Sequence, residues 1–205
     1  MKKYNVAITG GIGSGKSTVA SFIRERGFPV FSCDEINREL LTQEDYVKKL
    51  TEIFPDTVVE GSFQKSKLAE TVFSDQASLE KLNRFSHPII MQKLKERMEK
   101  TKSSLVFAEV PLLFEEGYER EFDRILIVFR DEKTRITAVS ARDGISPENV
   151  SARMRNQYDY HSLSDSSLLS SERGSVFLAL KNDGSLSKLK SDTDDILKKL
   201  LSSFA

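Results

Sequence analysis

Gly10-Gly11-Ile12-Gly13-Ser14-Gly15-Lys16-Ser17 fits the pattern G-x-x-x-x-G-K-S in full, and no other stretch constrains the fold as much. The pattern has a use only in a fixed context. A strand must end, a tight glycine turn must aim its amide N–H groups at phosphate oxygens, and a helix must begin near the lysine. The flanking residues predict that context. Val6 to Thr9 is a short apolar run suited to a buried parallel strand. Val19, Ala20, Phe22 and Ile23 recur at helical spacing until Gly27 supplies a stop. Phe28-Pro29-Val30-Phe31 then reads as a second strand. The opening is a βαβ unit of the α/β class, right-handed by the usual rule for parallel crossovers. A triphosphate in such a loop meets the positive end of the helix and its unpaired amides. Lys16 is placed for the β- and γ-phosphates and the Ser17 hydroxyl for Mg²⁺. The expected nucleotide contacts are Gly11, Ile12, Gly13, Ser14, Gly15, Lys16, Ser17 and Thr18.

Beyond the second strand, Asp34 stands where a helix N-cap is expected, ahead of Glu35 to Leu41. Residues 45–100 show apolar side chains at three- and four-residue steps and read as mostly helical. Pro55 and Gly61 break that region, and Pro88 suits the first turn of a helix running to Lys100. This is an insertion expected to carry an acceptor. Leu105 to Val110 and Arg124 to Phe129 predict two more core strands. Lys133 to Arg142 predicts a helix, and Ser146-Pro147 the start of another. Val176 to Leu180 reads as the last strand, and Ser187 to Leu201 as a closing amphipathic helix. The serine-rich run 162–171 reads as a loop.

Composition narrows the partners. Lys plus Arg and Asp plus Glu number 31 each in 205 residues, so the molecule has no basic field of the kind nucleic-acid binders use. The apolar run at the N-terminus is too short for a secretory signal, and no stretch reaches membrane-spanning length. A single cysteine, Cys33, allows no internal disulfide. Together these predict a cytoplasmic protein without membrane or nucleic-acid partners. The strings Asn-Lys-Xaa-Asp and Asp-Xaa-Xaa-Gly of GTP-binding switches are missing from the sequence.

A small kinase needs an acceptor base, cationic groups over the triphosphate, and a place for the acceptor. Asp34 follows a strand of an open α/β sheet, where strand ends line the ligand crevice. It either takes the acceptor hydroxyl's proton or caps the following helix. Glu109, at the end of an apolar strand, either helps hold Mg²⁺ or pairs with a nearby cation. Arg135, Arg142, Arg153 and Arg155 fall on the two helices after the fourth strand, as a closing lid or as a solvated face. His87, before Pro88, reads as structural or as an acceptor contact.

Several strings together resemble the dephospho-CoA kinase family over almost the whole chain. Ile8 to Thr18 is similar to its opening, Gly61, Leu68, Val72 and Phe73 to its "G…L…VF" segment, and His87-Pro88 to its His-Pro. Pro111-Leu112-Leu113-Phe114-Glu115 resembles its Pro-Leu-Leu-Phe-Glu, and Arg135, Arg142, Gln157 and Asn182-Asp183-Gly184 its C-terminal half. The resemblance implies a P-loop nucleotide-kinase-like fold, a parallel sheet flanked by helices. It divides the chain into a nucleotide-binding core at about 1–34, 103–131 and 174–205, a helical acceptor insertion at about 35–102 and a lid at about 132–173. It implies ATP- and Mg²⁺-dependent phosphorylation of the ribose 3′-hydroxyl of dephospho-CoA, the last step of coenzyme A biosynthesis. The chain is expected to be a monomer or small homo-oligomer.

By the same resemblance, Asp34 is the base, Arg142 a lid arginine on the ATP phosphates, and Asn182 lies near the adenine. Lys65, His87, Leu112 and Glu115 fall in acceptor-binding segments, and Ser17 and Glu109 serve the metal. The chain departs from the family in four places: Ser32-Cys33-Asp34 for Asp-Ala-Asp, Glu109 for Asp, Lys65 for Arg, and Val176-Phe177 for Ala-Asp. Two alternatives stay open on the residues themselves: a kinase for another hydroxyl acceptor, such as a nucleoside or nucleoside monophosphate, and an ATP-binding module that turns nothing over.

Overall fold

The computed structural model describes residues 2–160 and 176–204, so His161 and the serine-rich run 162–171 lie outside the described residues. Within them the chain forms two compact units, Met1–Phe31 with Thr101–Ala205, and Ser32–Lys100.

The first unit is built on a sheet of β1 (Tyr4–Thr9), β2 (Val30–Ser32), β5 (Leu105–Glu109), β6 (Arg124–Phe129) and β7 (Val176–Lys181), in the order β2-β5-β1-β6-β7. The central pairs are parallel, with Ile8 opposite Glu109 on one side and Leu126 on the other. Strands buried on both faces cannot alternate polar and apolar residues, which is why these segments read as continuous apolar runs. On one face Val6, Ile8, Phe107, Leu126 and Val128 join a core with Val19 and Ile23 of α1 (Lys16–Glu25) and Leu189, Ile196 and Leu200 of α8 (Leu186–Phe204). Their alternates Ala7, Ala108, Ile125 and Ile127 are fully buried as well. The chain end is fastened by Phe204 stacking on Tyr4, with ring centroids 3.7 Å apart.

After β6 come α6 (Glu132–Asp143) and α7 (Pro147–Arg155). Both starts follow sequence chemistry: Asp131 Oδ1 accepts from the Thr134 N–H at 2.9 Å, and Ser146 Oγ from the Asn149 N–H at 3.3 Å, with Pro147 in the first turn. The described part of the expected lid, residues 132–160, belongs to the same unit as the P-loop.

The second unit holds α2 (Cys33–Leu40), α3 (Glu44–Ile53), α4 (Lys65–Ser74) and α5 (Gln76–Lys100). It corrects two sequence expectations and refines a third. The N-cap of α2 is Ser32, whose Oγ accepts from the Glu35 N–H, and Asp34 lies inside the first turn. Capping geometry needs an extended residue with a short acceptor two or three positions ahead of an amide, and Ser32 (φ −124°, ψ 130°) meets that condition first. Pro88 lies inside a continuous 25-residue α5 and does not open a helix. The cost of one lost backbone hydrogen bond is absorbed by a helix held just beyond the proline through Ile90, Met91, Leu94 and Met98, all buried. The region expected to be mostly helical also contains an antiparallel hairpin, β3 (Val58–Val59) with β4 (Ser62–Phe63). Glu60 (φ 51°) and Gly61 (φ 78°) both take positive φ at its two-residue turn, the backbone that tight hairpins require.

Candidate active site

The P-loop is the turn between β1 and α1. Gly15 (φ 99°) is the N-cap of α1, and no side chain caps the helix. No side chain takes the first-turn amides of α1, and an anion fits there by hydrogen bonding and by the helix dipole. Lys16 Nζ lies across the loop, donating to Gly10 O at 2.7 Å and Gly11 O at 3.1 Å. Ser17, exposed in the same turn, offers its hydroxyl. These residues fit a nucleoside triphosphate with its divalent cation.

Neighbouring elements hold the loop in shape, and most of their contacts fall on its carbonyls. Asn182, which follows β7, donates from Nδ2 to Ser14 O at 2.8 Å, while its own backbone N–H bonds Phe129 O. Arg130 Nη1 reaches Gly13 O at 3.3 Å. Arg135 Nε donates to Ile12 O at 2.8 Å, and the Ile12 N–H donates to Gln157 Oε1 at 2.8 Å. Below the loop, Thr9 Oγ1 and the Tyr160 hydroxyl are 3.1 Å apart. Burial pushes the Tyr160 phenol well above its ordinary pKa, with the nearby Glu115 charge adding to the shift, so it stays protonated. A cavity of about 260 Å³ opens beside the loop, lined among others by Gly11, Ser14, Arg130, Arg135, Tyr160 and Asp183.

Gly10 shows how tightly the loop is built. Its φ is 142°, and a Cβ placed on it would sit 2.3 Å from the Val128 carbonyl oxygen on β6. Backbone strain and overpacking therefore act together. Gly10→Ala is expected to cost about 3 kcal/mol or more in stability, seen as a fall of several degrees in the calorimetric Tm.

The other expected residues divide between the two units. Glu109 is buried at the end of β5, one strand away from the P-loop's own strand. Leu112 and Glu115 lie in the turns after β5, where Glu115 Oε1 accepts the Tyr158 N–H at 2.9 Å and Phe114 stacks on Tyr158 at 4.8 Å. Arg142, in the last turn of α6, is not brought to the P-loop. Its guanidinium forms a fork with Asp143, Nε to Oδ1 at 2.6 Å and Nη2 to Oδ2 at 2.9 Å. In the second unit, Asp34 is exposed in the first turn of α2, Lys65 is exposed at the start of α4, and His87 is half-buried in the middle of α5. The Asp34 carboxylate has no hydrogen bond or ion pair among the described residues.

Sequence reasoning missed Arg130, Tyr160 and the side chain of Asp183, whose Oδ1 accepts the Asp131 N–H at 2.9 Å. The rule that singled out Asp34 and Glu109, a polar residue just past a parallel strand, also fits Arg130 after β6. Tyr160 carries no such signal.

The profile of the family described as dephospho-CoA kinase matches residues 4–167. A dephospho-CoA kinase of Thermus thermophilus is 36% identical over 195 residues, covering 95% of this chain and 91% of its own. A solved protein from Thermus thermophilus superposes with a TM-score of 0.81 at 34% identity over 100% of both chains. A dephospho-CoA kinase from Campylobacter jejuni shares the fold, with a TM-score of 0.68 at 23% identity over 99% of this chain and 100% of its own.

Proposed function

The chain belongs to the dephospho-CoA kinase family, and from that premise we propose how its residues carry the transfer of a phosphoryl group to the 3′-hydroxyl of dephospho-CoA. The donor is ATP. Its phosphates lie in the P-loop, against the first-turn amides of α1 and Lys16. The absence of a capping side chain on α1, directly after a complete phosphate-loop motif, is the observation that carries this reading. Ser17 Oγ and Glu109 would hold Mg²⁺, which would offset charge on the phosphates.

Asp34 accepts the proton of the acceptor hydroxyl. Its support is positional and chemical: it follows β2 directly, and with Ser32 as the cap its carboxylate is not committed to the helix backbone. Lys65 and His87 of the segment 35–102 bind the acceptor, and Leu112 and Glu115 contribute contacts to it. Asn182 reaches the nucleotide from the segment that already holds Ser14. Arg142 exchanges Asp143 for phosphate when the nucleotide is present. That exchange needs little energy, since an exposed ion pair contributes only about 0–1 kcal/mol. Phosphoryl transfer asks a protein for position and compensating charge more than for covalent chemistry, and these residues supply both.

No helix among the described residues is long and apolar enough to cross a membrane, and we place the reaction in the cytoplasm.

Purified protein given ATP and Mg²⁺ is expected to release ADP only when dephospho-CoA is added, with CoA formed in equal amount. ADP release driven instead by AMP or adenosine would keep the kinase and discard this acceptor. ATP binding without turnover on any acceptor would sink the enzymatic reading.

A further inference from the structure

The buried arginine on α6 is not accounted for by the roles above. Arg135 is 7% exposed, and it forms no ion pair with a carboxylate among the described residues. Burial works against its charge and lowers its pKa, and the more distant Glu132 and the Tyr160 hydroxyl offset this only in part. A buried guanidinium without a carboxylate is costly unless an anion meets it in use. Its single hydrogen bond, Nε to Ile12 O, fixes the plane of the group and leaves both Nη groups unused among the described residues.

The position of those Nη groups is legible from Gly11. That residue fills a variable position of the phosphate-loop motif, so the motif does not require glycine there. A Cβ on Gly11 would meet Arg135 Nη2 at 2.3 Å and Cζ at 2.7 Å. The guanidinium thus occupies the space where a side chain would otherwise stand on the loop. Arg135, Gly11 and Ser14 line the same cavity. On the other side of Ile12, Gln157 takes the residue's N–H, so the two peptide units flanking Ile12 are each held by a side chain of the 132–160 segment.

We propose that Arg135 is a second phosphate-binding cation of the nucleotide unit, carried on α6 beside the loop, its Nε positioning Ile12 while its Nη pair takes an oxygen of the β- or γ-phosphate. This rests on the P-loop binding ATP, as set out above. It differs from the role given to Arg142, which is exposed and held by Asp143. Arg135 needs no closure to reach the loop, because it is bonded to it already. A planar fork suits this double task, one edge on a carbonyl and the other on phosphate, and an ammonium does not.

The test is calorimetric titration of ATP, ADP and AMP, without acceptor, into wild type, R135Q and R135K, with each protein's Tm measured without nucleotide. Glutamine retains a donor for Ile12 O and removes the charge. R135Q is expected to keep the Tm within about two degrees and to bind ATP about 10- to 100-fold more weakly, with AMP affected much less. R135K is expected to recover part of the loss. An R135Q of native Tm that binds ATP like wild type would overturn the proposal, as would an equal loss for AMP and ATP. Should R135Q fail to fold, R135K decides: a several-fold loss for ATP at unchanged Tm supports the fork, and wild-type affinity refutes it. Wild type that does not bind ATP would refute both this role and the nucleotide site. Wild type that binds ATP but does not phosphorylate dephospho-CoA would discard the acceptor and leave Arg135 where it is.

Discussion

Lys16→Ala is expected to lower kcat at least about 10³-fold, the scale on which a preorganised electrostatic contact to the reacting group acts, while the Tm moves by no more than about two degrees. The structure explains why the two readouts separate. Lys16 is the first residue of α1, half-buried, and its ammonium donates to the loop's own Gly10 and Gly11 carbonyls. Its removal leaves the packing of Val19, Ala20 and Ile23 untouched, and those residues hold the helix on the sheet. The other cations at the loop do not replace it, because Arg130 and Arg135 are anchored at other points of the loop, by the carbonyls of Gly13 and Ile12. Lys16→Arg should not rescue, since a wider planar group cannot take the place of a compact ammonium. The measurement is single-turnover ADP formation with dephospho-CoA at saturating ATP. A loss smaller than tenfold would mean that Lys16 does not bear on the transferred phosphate.

Much of this architecture was legible because the relevant physics is local. The phosphate loop specifies its own flanking strand and helix, and β1 and α1 stand where that logic puts them. Ser146-Pro147 opens α7 because a cap and a first-turn proline act within four residues. The sequence was harder to read where two local rules competed. Ser32 and Asp34 are both good caps two residues apart, and β2 decides between them by running to Ser32 before the chain turns. Glu60-Gly61 closes a hairpin although its flanking strands are only two residues long, and apolar spacing cannot reveal strands that short. Pro88 was misplaced because a proline marks a helix start only when nothing else supports the turn before it.

The site was less legible than the fold for a different reason. Arg135 is 123 residues and Gln157 145 residues from Ile12, the residue whose two backbone groups they hold. No periodicity encodes that meeting. It follows from β6 lying next to β1 in the sheet, which brings the start of α6 up to the loop. Arginines on a helix look alike in sequence, and only burial separates Arg135 from Arg142.

Asp34→Asn tests the remaining chemical assignment, and it is expected to lower kcat by about 10²- to 10⁴-fold, the usual worth of a positioned general base. The Kd for ATP should change by less than about twofold. The substitution is nearly isosteric, so a loss of this size cannot be blamed on α2. As a first-turn acid, Asp34 contributes to that helix only through the dipole, about 0.3–1 kcal/mol. Capping belongs to Ser32 and survives the change. Ser32→Ala is the complementary control: it removes the cap, should cost about 1 kcal/mol in stability, and should leave most of the catalytic rate in place. If Asp34→Asn instead keeps kcat within threefold of wild type, the acceptor proton leaves by another route, and Asp34 would be reduced to an acidic residue in the first turn of a helix.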